Sequence, residues 1–243
     1  MIKTIKTMSK QEKERYTVPR KVQDVIPVRR IWPDGIFLVG NKFSKTYKFS
    51  DINYLVASRE DKESMFLTYS ELLNSLDSGA VTKITINNRR MNQANFETSI
   101  LMPMQGDFRD EYRGEYNQML LDKATGANGI MQEKYITISV VKKDIEEARA
   151  YFSRVGADLI SHFAALGSKC VELDATERLR ILHDFYRQGE ESEFVFNARE
   201  MMKRGHSFKD YICPDGIEKK SDYLKLGGKF CRVLFLKDYA SYI

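Results

Sequence analysis

Tyr135-Ile136-Thr137-Ile138-Ser139-Val140-Val141 decides the reading of this chain. Large and small polar residues alternate through it, so Ile136, Ile138 and Val140 share one face of a predicted strand. Asp144 follows as a helix cap, with Glu147 three residues on as the second half of a capping box. Ile145, Ala148, Phe152, Val155, Leu159, Phe163 and Leu166 then recur at helical spacing, and Gly167 closes the helix. Residues 170–173 read as a short strand. Asp174 and Glu177 make a second capping box, Leu179, Leu182, Phe185 and Tyr186 form the buried face of its helix, and Gly189 ends it. Strand, helix, strand and helix in this order predict a split, ferredoxin-like βαβ unit, and hence an α+β fold with helices laid on a sheet.

Working outward, residues 25–32 read as a strand, Pro33-Asp34-Gly35 as a tight turn and residues 36–40 as its return. Phe43, Lys45, Tyr47 and Phe49 continue at period two, which predicts a third strand and an N-terminal antiparallel sheet. A helix is expected over residues 60–77, then a strand from Val81 that stops at Asn87-Asn88. A second helix is expected over residues 107–123, where Phe108, Tyr112, Tyr116, Met119 and Leu120 share one face. Further on, a helix is expected over 194–203 and a last strand over 231–236. This divides the chain into a basic leader (1–23), a small β-rich subdomain with one helix (24–100) and an α+β subdomain (101–243). The stop at Ile243, five residues after Asp238, leads to the expectation of a motor domain beyond it.

The 243 residues are 42% hydrophobic and 12% aromatic, enough for a core. No apolar run approaches the ~20 residues of a bilayer span, and no apolar h-region follows the first residues. Three sparse cysteines, Cys170, Cys213 and Cys231, argue for free thiols in a reducing compartment. The net charge is +5, but residues 1–30 carry nine basic and three acidic side chains, so they hold +6 and the remainder about −1. The basic character therefore sits in the leader. It suits an anionic lipid surface, nucleic acid or an acidic partner, or a solvated tail that touches nothing.

Chemistry-bearing motifs are sparse. A phosphate-binding loop needs G-x-x-x-x-G-K-[ST], so that backbone amides and a lysine cradle phosphate. Gly228-Lys229 comes nearest, but Tyr223 stands where the first glycine belongs and Phe230 replaces the hydroxyl. Gly227-Gly228 reads as a turn between strands, and Gly126-Ala127-Asn128-Gly129 as a turn without the basic residues of a nucleotide clamp. His162, His183 and His206 lie in no metal-ligand spacing. Adjacent on a helix, His183 and Asp184 point about 100° apart, poor geometry for an acid–base pair. No catalytic residue, metal site or cofactor is expected. Helical spacing makes Tyr112 and Tyr116 core residues rather than base-stacking ones. Trp32, at the hairpin end, reads either as an interface anchor or as packing beneath the hairpin. With Arg29, Arg30 and Tyr239 it completes the expected interface set.

Five segments together carry a resemblance. They are Pro33-Asp34-Gly35-Ile36-Phe37, Phe43-Ser44-Lys45-Thr46-Tyr47, Leu182-His183-Asp184-Phe185-Tyr186-Arg187, Phe208-Lys209-Asp210-Tyr211-Ile212-Cys213-Pro214 and Arg232-Val233-Leu234-Phe235-Leu236-Lys237-Asp238-Tyr239. In order and spacing the chain resembles the N-terminal region of the CagE/TrbE/VirB family of conjugative type IV secretion ATPases, in the form carried on conjugative elements of Gram-positive, clostridia-like bacteria. The resemblance implies a cytoplasmic ATPase, peripheral to the membrane and usually hexameric, whose nucleotide motifs lie in a C-terminal motor domain. For the matched region it implies a non-catalytic docking and assembly role, with inner-membrane subunits of a conjugation channel as partners and self-association through the motor domain. Alone, the chain is expected to be a monomer or weak dimer. The alternatives are a nucleic-acid-binding module using the basic leader, with weak DNA or anionic-lipid contact by residues 1–30, and a small enzyme with an unrecognised site.

Overall fold

A computed structural model describes residues 19–90, 100–126 and 130–236. A four-residue helix, α1 (Val22–Val25), leads into β1 (Val28–Ile31). The strand expected from residue 25 starts later because Pro27 disfavours helical backbone at Ile26, which is extended (φ −80°, ψ 115°) and breaks α1. β2 (Phe37–Val39) and β3 (Lys42–Phe49) follow, then α2 (Arg59–Asn74), β4 (Val81–Arg90), α3 (Asp110–Gly126), β5 (Ile130–Val140), α4 (Ile145–Ala165), β6 (Cys170–Glu172) and α5 (Ala175–Tyr186). The chain continues through short α6 (Ala198–Met201) into a three-stranded antiparallel meander, β7 (Ile217–Lys219), β8 (Leu224–Leu226) and β9 (Lys229–Cys231), turned at Gly227 (φ 55°).

The fold is α+β. The main sheet runs β1-β2-β3-β5-β4, and β6 also pairs with β3. β2 takes the first half of one β3 edge (Val39↔Lys42 to Phe37↔Ser44), and β6 takes the second half (Tyr47↔Glu172 to Phe49↔Cys170). All pairings are antiparallel, so β5 and β6 are parallel with β3 between them, joined by α4. β3 and β4 are likewise parallel across β5, joined by α2. Strands from 24–100 and from 101–243 therefore share one sheet.

The residues of the opening stretch lie where their alternation places them. Ile136, Ile138 and Val140 are buried with Phe43 and Tyr47 beneath Leu72 of α2 and Phe152, Val155, Leu159 and Phe163 of α4. Tyr47 donates its hydroxyl to the Phe152 carbonyl (3.2 Å). Gly156 permits this approach: a Cβ there would lie 2.7 Å from Glu172 Oε1 and 2.9 Å from Tyr47 Oη. Buried Lys45 pairs with Glu172 across the β3–β6 edge. Burial, then the Glu172 charge, pushes the Tyr47 pKa well above that of an ordinary phenol.

A second core lies among α5, the β1–β2 hairpin and residues 194–213, with Ile26, Phe37, Leu179, Phe208 and Ile212 at its centre. The Pro33-Asp34-Gly35 turn joins the two halves. Gly35 takes φ 76°, and a Cβ on it would fall 2.0 Å from the Leu173 carbonyl oxygen. Asp34 in turn receives Arg149 of α4 at 2.7 Å.

Several expectations need correction. The Asp174–Glu177 capping box is complete, but at α4 only half forms: Asp144 accepts the Glu147 N–H (2.9 Å), while the Glu147 carboxylate takes the Lys143 N–H (3.0 Å). β4 continues past Asn87-Asn88, where the Asn88 side-chain oxygen accepts from Gln132 across the ladder (3.1 Å). Residues 194–197 are not helical, and Phe194 and Phe196 pack on the second core instead. β9 ends at Cys231, and residues 232–236 form no strand. Phe185, expected inside, is 59% exposed. The shared face of α3 is not a core: Phe108 is 82% and Tyr112 68% exposed, with Tyr116 and Met119 exposed beside them. The turn expected over Gly126–Gly129 falls mostly on residues 127–129, outside the described residues.

Candidate functional site

β3, β5 and β4 turn their second face away from α2 and α4. The same alternation that buries Ile136 and Ile138 points Ser44 and Thr46, Thr137 and Ser139, and Lys83, Thr85 and Asn87 to this face. The Thr46 and Thr137 hydroxyls bond each other at 2.9 Å. α5 covers only part of this surface. Between its Ile181, Leu182, Phe185 and Tyr186 and the open sheet lies a groove of about 500 Å³, closed at one side by Ile26, Val28, Phe37 and Val39.

Arg178 enters this groove from the first turns of α5. Its Nη1 donates to the carbonyls of Gly35 and Ser44, both at 2.7 Å, and its Nη2 to Ser44 Oγ at 3.2 Å. The guanidinium lies 4.0 Å above the Phe37 ring. No ion pair among the described residues involves it. Burial pulls its pKa down to about 9, so it remains charged at neutral pH. The sequence reading missed it, although a signal exists. Ala175, Arg178, Leu179 and Leu182 form one helical stripe, and an arginine set among apolar positions has to find polar company.

Two residues before Tyr135 on β5, outside the groove lining, buried Glu133 accepts from Lys48 Nζ (2.6 Å) and from the Tyr135 hydroxyl (2.8 Å). Lys48 neutralises that carboxylate in place. His183 and Asp184 are both buried, yet His183 Nδ1 stands 3.6 Å from Asp184 Oδ1, beyond hydrogen-bond reach. The His183 ring packs on Phe194 instead (5.2 Å), while Asp184 lies 3.5 Å from Arg180. They do not form an acid–base dyad. Among the described residues no group of three or more His, Cys, Asp or Glu could hold a metal ion. All three cysteines are free; Cys170 and Cys213 are buried, and burial, then Glu172, pushes the Cys170 thiol up to about 11.

Three of the expected interface residues, Arg29, Arg30 and Trp32, lie on or just after β1. Arg29 and Arg30 are exposed on β1, beside an irregularity in its pairing with β2. Trp32 is partly buried, its ring 5.7 Å from Phe43, so it packs beneath the hairpin. Tyr239 lies outside the described residues, as does the leader up to residue 18. An exposed aromatic face lies on α3 and its lead-in. That helix is braced locally: Arg113 bridges Asp107 and Asp110 (both 2.5 Å), and the Asn117 amide pairs with the Met102 backbone (2.8 and 2.9 Å). The brace points its polar side inward and leaves Phe108, Tyr112, Tyr116 and Met119 outside. No family model matches this chain, and no curated protein matches it. Among the described residues no helix is long and apolar enough to cross a membrane.

Proposed function

We propose that the chain is a non-catalytic docking and assembly module of a conjugative type IV secretion ATPase, working at the cytoplasmic face of the membrane against inner-membrane subunits of a conjugation channel. The observation that carries this reading is the uncovered aromatic face of α3 and its lead-in, with Phe108 82% and Tyr112 68% exposed where Arg113 and Asn117 brace the helix to that lead-in. Contiguous apolar surface of this kind marks interaction sites in soluble proteins. The sequence resemblance adds the setting, a multisubunit DNA-transfer machine. The missing phosphate loop and the separation of His183 from Asp184 favour binding over catalysis.

Measuring the affinity of the chain for each inner-membrane subunit encoded on the same genetic element tests the reading. One subunit should bind, and the double substitution Phe108→Ser, Tyr112→Ser should weaken it by at least about tenfold, as removal of aromatic anchors does. Binding to none of them, or binding indifferent to these substitutions, would overturn the docking role. A gene carrying this sequence with no G-x-x-x-x-G-K-[ST] loop anywhere in its frame would overturn the family reading.

A further inference from the structure

We propose that the groove between α5 and the open sheet face binds a small amphipathic organic anion, a carboxylate on an aliphatic body. Charge is the first argument. Among the described residues the groove is lined by three cations, Arg178, Lys42 and Lys83, and by no aspartate or glutamate. A guanidinium sheltered from water without a carboxylate is costly, and an entering anion offsets that cost. Donor capacity is the second. Arg178 has five N–H donors, and three are used on Gly35 and Ser44. Two have no acceptor among the described residues, and the Thr46 and Thr137 hydroxyls line the same groove.

The walls decide the rest of the ligand. Opposite the hydroxyl floor stand Ile181 and Leu182 on one side and Ile26, Val28 and Val39 on the other, all aliphatic. A volume of about 500 Å³ falls within the ~300–1,000 Å³ of ordinary small-molecule sites. A nucleic-acid strand fits this surface poorly, because it needs successive free aromatic faces. Phe37 is covered by Arg178 and Tyr135 is buried, which leaves exposed Phe185 and half-buried Tyr186, packed edge-on against each other rather than as successive free faces. Like charge also disfavours the basic leader as occupant. The site is remote in function from the α3 face, so the two proposals fail separately.

Calorimetric titration of the full chain with decanoate, decanol and decylammonium tests the proposal. Decanoate should saturate one site, decanol should bind at least tenfold more weakly, and decylammonium should not bind. The variant Lys42→Glu, Lys83→Glu changes two exposed side chains and should weaken decanoate roughly tenfold or more. Lys143→Glu, on the β5–α4 loop, should leave it unchanged. Equal affinity for decanoate and decanol would overturn the proposal, as would no binding at all or indifference to the Lys42 and Lys83 reversal. Stoichiometric displacement of decanoate by a short oligothymidylate would also overturn it, by reassigning the groove to nucleic acid. The α3 double substitution is expected to leave decanoate binding intact.

Discussion

α3 and α4 share an apolar spacing, although the apolar stripe is much stronger on α4 and α3 is the more polar helix. Each sets apolar residues at spacings of three and four: Phe108, Tyr112, Tyr116 and Met119 near and along α3, Ala148, Phe152, Val155 and Leu159 along α4. In α4 they are buried against β3 and β5; in α3 they face outward. The difference lies in what stands opposite. α4 returns over the two most paired strands of the sheet, whereas α3 sits in the β4–β5 connection, braced by Arg113 and Asn117 to its own lead-in segment. A helical stripe states that a face wants burial. It does not say whether the same chain supplies the cover.

Truncating one aromatic in each helix would break this comparison most directly. Phe152→Ala should cost about 3–5 kcal/mol of unfolding free energy, as for other buried phenylalanines. Tyr112→Ala should change it by no more than about 0.5 kcal/mol. Denaturant melts of the two variants decide the matter, and a comparable loss in both would show that α3 has a partner within the chain.

A matched pair of glycines sharpens it. A methyl at Gly156 would meet Glu172 Oε1 at 2.7 Å and Tyr47 Oη at 2.9 Å, while a methyl at Gly114 of α3 would find only Met104 Cε, at 3.8 Å. Gly156→Ala should therefore destabilise by about 1–3 kcal/mol through overpacking. Gly114→Ala should stabilise by up to about 1 kcal/mol, because alanine restricts the unfolded chain and nothing obstructs it. Thermal melts showing the same sign for both would refute the assigned packing.

The smallest effect concerns the α3 brace. The Arg113 hydrogen bond holds the Asp107 carboxyl below the usual range, and the Gln105 backbone N–H, then Arg113, does the same for Asp110. A carboxylate depressed in the folded state contributes stability above its unfolded pKa, near ~4, and loses it as pH falls through the folded value. The start of α3 should thus loosen only in acid below about pH 4. The amide resonances of Gln105 and Gly106, which donate to Asp110 at 3.0 and 2.7 Å, should shift in that window and not between neutrality and pH 5. Asp110→Asn should abolish the shift.

Legibility in the sequence followed the range of the interactions. The β5–α4–β6–α5 run was readable because alternation, caps and a closing glycine are settled within a few residues; Asp174 with Glu177 and Gly167 with φ 75° stand as expected. The half-formed box at Asp144 was not readable, since Glu147 chose between two backbone amides one residue apart. The groove was nearly invisible. Ser44, Thr46, Thr137 and Ser139 are ordinary outward positions of strands, and the place of Arg178 in an apolar stripe says that it needs polar company without saying that the open sheet supplies it.

By itself the sequence determined the period of each central element, the positive-φ turn at Gly35, the α+β class and the absence of a phosphate-loop motif from these 243 residues. These depend on local sterics, on capping and on residue identity. Only the tertiary structure decided that β2 and β6 divide one edge of β3, that Phe185 and the α3 aromatics stay outside, and that Arg178 is sheltered without a carboxylate. Those outcomes depend on which distant segments meet, and pairing and burial between residues more than a hundred positions apart leave no periodic trace in the chain.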